Sequence, residues 1–282
     1  MKRFTYVYLG FFLVLLLMLF SGLTGESIFQ TDEEITDSSK VELAKSISIL
    51  SYHHLLKNEE NPFPNNDSVL SVENFQEQMK YLHDKNFNAI TLDELEKFLR
   101  GEIKLPKNSI VITFDDGYKS NYIYAYPVLK EYGFKASIFM ITKLITNEPT
   151  KFDPKTLQYL SWKEMKEAKD VFEYASHTND LHRLDAKNKS FLVVQPKDVV
   201  YADLKKTQEL LETTYLAYPY GQYTKNTMSI LNDLNFKMAF TTKSGTVKPG
   251  NDMLKLKRYV ISPNTSLNKF KKIVDRRFSF FN

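Results

Sequence analysis

The chain has 282 residues, 43% of them hydrophobic and 26% charged, with no cysteine, one tryptophan and five histidines. This is globular rather than disordered composition. The missing cysteine excludes disulfide scaffolds, thiolate metal sites, iron–sulfur clusters and cysteine nucleophiles. Net charge is +4, and without Lys2 and Arg3 the remainder holds 36 bases against 34 acids, so no nucleic-acid partner is expected.

Lys2 and Arg3 precede an uncharged stretch, residues 4–25, densest between positions 9 and 20. A basic start followed by an apolar run is the pattern of a signal peptide, and the run is also long enough for a membrane anchor. Residues 1–25 are therefore read as one or the other. The positive-inside rule puts the rest outside the cytoplasmic membrane, secreted or on the cell surface. Residues 26–45 are polar and acidic, a linker. Residues 46–282 are read as one main domain.

Within that domain strands and helices alternate. Residues 47–51 read as a strand that runs into His53 and His54. Phe75, Met79 and Leu82 share a helical face within 72–85. Residues 89–91 form a second strand, and Thr91 with Glu94 makes a capping box. The β-branched run 109–114 is a central strand. A helix over 122–132 and a strand over 135–141 follow. Ser161 and Glu164 make another capping box. Strands are expected at 172–176, 215–218, 237–241 and 256–261, and helices at 202–212, 224–234 and 266–276. Residues 188–200 lack a clear period and read as an insertion. This alternation implies parallel strands with right-handed crossovers. The fold class is α/β, a distorted or incomplete (β/α)7-type barrel.

In such folds ligands sit at the carboxyl ends of strands. Three motifs fall there: Thr113-Phe114-Asp115-Asp116-Gly117-Tyr118, Ser176-His177-Thr178-Asn179-Asp180-Leu181-His182, and Ala217-Tyr218-Pro219-Tyr220-Gly221. Alone, each has a plainer reading. Asp-Asp-Gly is common turn chemistry, two histidines five apart do not share a helical face, and Pro-Tyr-Gly is a loop. Together they supply two imidazoles and a carboxylate for a first-row metal, with a neighbouring carboxylate as general base. That is equipment for metal-assisted hydrolysis. Adjacent aspartates do not naturally give the roughly 5–10 Å separation of a glycosidase pair.

The order T-F-D-D-G-Y, S-H-T-x-x-x-H, Y-P-Y-G resembles the polysaccharide deacetylases of carbohydrate esterase family 4, the NodB homology domain. The resemblance runs from about residue 47 to the C-terminus. The H-x4-H spacing, the Leu-Ala-Tyr-Pro-Tyr-Gly stretch and the early Tyr-His are similar to the branch that deacetylates poly-β-1,6-N-acetyl-D-glucosamine, a biofilm exopolysaccharide. The resemblance implies Asp116, His177 and His182 as ligands of a divalent metal, commonly Zn2+, with Ni2+ or Co2+ able to serve. It implies Asp115 as general base and the Tyr220 backbone N–H as oxyanion donor. Two departures stand out. No histidine follows His182, so His53 is expected to act as general acid, with His54 as second choice. The family's arginine before x-Pro-Tyr is replaced by Ala217, and Arg258 is expected to orient Asp115 instead. Tyr118, Tyr218 and Tyr220 are expected to stack on sugar rings. The implied partners are the N-acetylglucosamine polymer, the membrane and the polymer's synthase complex. Rival readings are a deacetylase of peptidoglycan or chitin oligomers, and a non-catalytic sugar-binding module.

Overall fold

Ser109–Phe114 forms the middle of the sheet, as its unbroken apolar run predicts, and all six residues are buried. The computed structural model describes residues 42–275, so the apolar N-terminal segment, most of the linker and residues 276–282 lie outside the described residues. Among the described residues, no helix is long and apolar enough to cross a membrane.

In chain order the elements are β1 (Ser48–Tyr52), β2 (His54–Leu56), β3 (Val69–Ser71), α1 (Val72–Asp84), β4 (Asn88–Ala89), α2 (Leu92–Leu99), β5 (Ser109–Phe114), α3 (Tyr126–Glu131), β6 (Ala136–Met140), α4 (Trp162–Glu167), β7 (Phe172–Ser176), α5 (Phe191–Val194), α6 (Lys197–Leu211), β8 (Tyr215–Ala217), α7 (Lys225–Asp233), β9 (Met238–Phe240), β10 (Tyr259–Val260) and α8 (Leu267–Val274). The main sheet is parallel, in the order β10-β1-β5-β6-β7-β8-β9, with β4 paired to the start of β5. Seven strands on this path make the incomplete (β/α) barrel expected from the alternation.

One stretch joins the two edges of the sheet. The strand expected over 256–261 shrinks to β10, because its ends pair with different strands. Leu256 bridges Phe240 of β9, whereas Tyr259 pairs with Leu50 of β1. Arg258, between them, is left at the seam and points inward.

Alternation along the strands separates two apolar layers. Ile49, Val111, Phe139, Ala175, Ala217 and Phe240 fill the barrel interior with the apolar face of α2. Leu50, Ile110, Ile112, Phe114 and Ile138 face outward and pack under α1, α3 and α8.

Several expected boundaries move. The helix over 122–132 begins as a π turn, Asn121–Ala125, and becomes α-helical only from Tyr126. Pro127 has no N–H to donate to residue 123, and the Tyr126 N–H instead reaches Asn121 O. The insertion over 188–200 holds α5 and the first turn of α6, so α6 starts five residues earlier than expected. Leu192 and Val200 are buried there, which supplies the tertiary anchor that a short, weakly periodic segment conceals in sequence. The parallel pair β2–β3 was not expected; each strand has only three residues.

Candidate active site

Asp115 reaches the barrel mouth by strand period. Val111, Thr113 and Asp115 share one face of the β5 run, and Ile49 and Ser51 share the matching face of β1. The Asp115 N–H donates to Tyr52 O at 2.9 Å, extending the β1–β5 ladder by one residue. Ser51 Oγ donates to Asp115 Oδ2 at 3.4 Å.

Arg258 enters from the seam and is fully buried. It donates from Nη1 to Asp115 Oδ1 and from Nη2 to Asp115 Oδ2, both at 2.7 Å. Its Nε donates to Thr241 O at 3.1 Å and Nη1 also to Thr113 Oγ1 at 3.2 Å. The guanidinium lies 5.3 Å from the Phe139 ring centroid. This fork fixes both carboxylate oxygens at once, which a lysine could not do. Burial pushes the Asp115 pKa up, but the Arg258 charge, His177, the Arg258 hydrogen bonds and His53 outweigh it and hold the carboxyl well below the usual range.

Asp116 turns the other way because its φ is +72°. Its Oδ1 stands 3.5 Å from His177 Nε2 and 3.3 Å from His182 Nε2. His177 follows β7, and its Nδ1 lies 2.8 Å from Ala217 O. A carbonyl only accepts, so Nδ1 carries the proton and the Nε2 lone pair faces Asp116. His182 packs its ring on Tyr220 at 4.5 Å. Burial and the neighbouring His177 push the His182 imidazole down to about 4, against the pull of Asp116 and Asp115.

These three side chains suit a divalent metal. Their ligand atoms lie within 4.8 Å of one another. Ligands about 2.1 Å from a tetrahedral zinc stand about 3.4 Å apart, close to the separations at Asp116. Asp116 Oδ1 is buried without a hydrogen-bond partner among the described residues, an arrangement that an acceptor normally avoids unless a cation or water completes it.

His53 sits between β1 and β2, with Nε2 3.9 Å from Asp115 Oδ2. Asn121 Nδ2 donates to its carbonyl at 2.8 Å. His54 differs. Its ring is buried, its Nδ1 lies 2.7 Å from Ser120 Oγ and it stacks on Tyr118 at 4.8 Å. Burial pushes its pKa down to about 4, only partly opposed by Asp116 and Glu60. Of the two candidate acids, the structure brings His53 to Asp115 and packs His54 into the wall.

The expected aromatic platform contracts. Tyr218 is fully buried, donates its hydroxyl to Leu254 O and stacks on Tyr223. Tyr118 is sandwiched between His54 and Tyr159. Both rings are committed to packing, and only Tyr220 leaves a face open, with 42% exposure.

Each loop carries a non-glycine residue in the left-handed region: Asp116, Thr178 and Tyr220. For a β-branched residue such as Thr178 that is a strained conformation, of order 1–3 kcal/mol. The strain is held by built contacts. Thr142 N donates to Thr178 O at 3.1 Å. Asp203 of α6 accepts from Asn179 N at 2.8 Å and Asp180 N at 2.7 Å. Asp203 was missed in the sequence. Its signal is a carboxylate on the buried stripe Val200, Asp203, Leu204, Thr207 of a helix.

The sequence pattern of the polysaccharide deacetylase family matches residues 102–239. The Bacillus subtilis (strain 168) protein named "Putative polysaccharide deacetylase YxkH" is 32% identical over 235 residues, covering 82% of this chain and 77% of its own. The chain belongs to the polysaccharide deacetylase family. Its NodB-type domain makes it a hydrolase acting on carbon–nitrogen bonds of a polysaccharide. A Staphylococcus aureus (strain N315) poly-β-1,6-N-acetyl-D-glucosamine N-deacetylase is 28% identical over 269 residues, 88% of this chain and 90% of its own. The solved structure of IcaB from Ammonifex degensii superposes with a TM-score of 0.70 at 27% identity, covering 82% of this chain and 98% of that one.

Proposed function

We propose that this deacetylase removes N-acetyl groups from poly-β-1,6-N-acetyl-D-glucosamine at the extracellular face of the membrane. It would use a divalent metal, by preference zinc, held by Asp116, His177 and His182. The observation that carries the chemistry is the pairing, on one rim, of an open Asp/His/His cluster with a carboxylate clamped by a buried arginine. The near full-length likeness to the Staphylococcus aureus enzyme supports the polymer.

A cation in that cluster supplies Lewis-acid polarisation of the amide carbonyl and activation of water. The remaining work falls to the chain. Asp115 accepts a proton from the attacking water as its oxygen bonds to the acetyl carbon. Arg258 holds the carboxylate ionised and aims its unshared lone pairs at the mouth. The Tyr220 backbone N–H stabilises the charge that develops on the carbonyl oxygen. Gly221 allows that tight turn, because a Cβ there would lie 2.1 Å from Thr242 Oγ1. His53 delivers a proton to the leaving nitrogen as the C–N bond breaks. Acetate and a free amine result. The open face of Tyr220 stacks on a sugar ring beside the reacting group.

Deacetylation turns neutral acetamides into cationic amines, which would hold a biofilm polymer to an anionic surface. An enzyme tethered by residues 1–25 would meet the polymer as it leaves its synthase. Acetate release from matched β-1,6- and β-1,4-linked N-acetylglucosamine oligomers tests the substrate. Faster release from the β-1,6 series is expected. Equal or faster release from the β-1,4 series would favour a peptidoglycan or chitin-type substrate.

A further inference from the structure

The amino ends of β1 and β10 lie at the opposite end of the strands from Asp115. A groove of about 930 Å3 opens there, walled by residues just before β1, by the 244–257 segment and by α8. Lys45, Lys248, Lys257 and Lys269 line it. The one carboxylate in its wall, Asp252, is engaged by Lys255 at 2.7 Å. The other four amines have no ion-pair partner among the described residues, so the groove concentrates positive charge in a chain that is otherwise near neutral. Gly245 holds the arrangement. It sits at φ +148°, and a Cβ there would lie 2.7 Å from Lys257 Cδ. A side chain at 245 would force the Lys257 side chain to shift.

Two features of the sequence, both adjoining groove residues along the chain, bear on what the groove meets. Lys45 ends the linker that follows the basic-then-apolar segment 1–25. The helix α8, whose Ile273 and Lys269 line the groove, leads after Asp275 into Arg276-Arg277-Phe278-Ser279-Phe280-Phe281. Arginines followed by aromatics have the composition of a lipid–water contact.

We propose that this groove receives anionic phospholipid headgroups, so that the amino end of the barrel lies on the bilayer and the Asp116–His177–His182 cluster faces away from it. Clustered lysines beside a membrane segment are drawn to anionic lipid and released by salt. The membrane reading of residues 1–25 agrees with this orientation, but the attraction of the groove for anionic lipid depends neither on that segment nor on the deacetylation chemistry.

The test uses the full chain with vesicles of phosphatidylcholine alone or with phosphatidylglycerol added. Flotation reports attachment, and amine acylation read by mass spectrometry reports the groove. Lys248, Lys257 and Lys269 should be acylated on the order of tenfold more slowly on the anionic vesicles. High salt should abolish that protection, while Lys166 of α4 reacts equally on both. The variant carrying Lys248→Gln and Lys257→Gln should lose the protection at Lys269 while still floating. Flotation on both vesicle types with equal acylation would overturn the groove and leave the N-terminal anchor standing. Flotation and protection on anionic vesicles only would support the groove and remove the anchor. Protection by soluble polyphosphate but not by vesicles would also overturn the proposal, because the ligand would then be a polyanion in solution.

Discussion

Arg258 and Asp115 are the tightest pair at the site, and neither is stable there alone. Removing one member of a buried, hydrogen-bonded ion pair costs about 3–5 kcal/mol. Arg258→Met should therefore lower the urea midpoint strongly and abolish acetate release. Arg258→Lys keeps the charge and loses the fork, so it should fold better than Arg258→Met yet remain poorly active. A Lys variant with full activity would remove the orienting role. His53→Ala should lower kcat by about 10²–10⁴-fold with the fold intact, and unchanged turnover would leave the acid unidentified. Asp203 acts through the loop it holds. Asp203→Ala should weaken zinc binding by about 10–100-fold, the range for supporting contacts around a metal ligand. Asp203→Asn, which keeps one acceptor oxygen, should weaken it less. Zinc affinity by calorimetry separates the two.

Among the elements, α4 shows how capping and site support coincide. Its capping box was legible as Ser161 and Glu164, and the structure has both reciprocal bonds. The sequence did not reveal that Glu164 Oε1 also takes the buried Lys119 at 2.5 Å. Lys119 follows the Asp115–Gly117 turn, so the pair fastens the β5 loop to the helix layer. Lys119→Met should destabilise the fold by a few kcal/mol, and more than Lys119→Met with Glu164→Gln, because the double change leaves no lone buried charge. Equal losses in a denaturation series would contradict that. Long strands and helices such as β5, β7 and α1 were readable because their periodicity extends over several residues. The pair β2–β3 and helix α5 were not, because three or four residues carry no period and are fixed by partners distant in sequence. The three loop motifs identified which residues would meet; the left-handed φ of Asp116, which separates its direction from that of Asp115, is visible only in the backbone. Tyr218 falls outside the expected stacking platform for a similar reason. Burial of Tyr218 depends on its hydroxyl finding Leu254 O, a contact across 36 residues.

For the whole molecule, acid should be more damaging than composition suggests. His54 is buried and its folded pKa is about 4, below its ordinary value of 6.5. The unfolded chain therefore takes the proton first as pH falls. Stability is complete above pH 6.5, declines between 6.5 and 4, and changes no further from this group below that window. The difference corresponds to about 3 kcal/mol. His54→Gln should flatten that part of the stability profile of the metal-free protein, whatever it does to stability at pH 7. A profile of unchanged slope would show that His54 is not the group responsible.

Metal-assisted deacetylation with Asp115 as base is the proposal on which the other site predictions depend. Its most direct test is acetate release from a β-1,6-linked N-acetylglucosamine oligomer by the zinc-loaded full chain, repeated after chelation and with Asp115→Asn. Release should cease after chelation, return when zinc is restored, and be absent in Asp115→Asn although that variant still binds zinc. Release that survives both chelation and the substitution would contradict the mechanism.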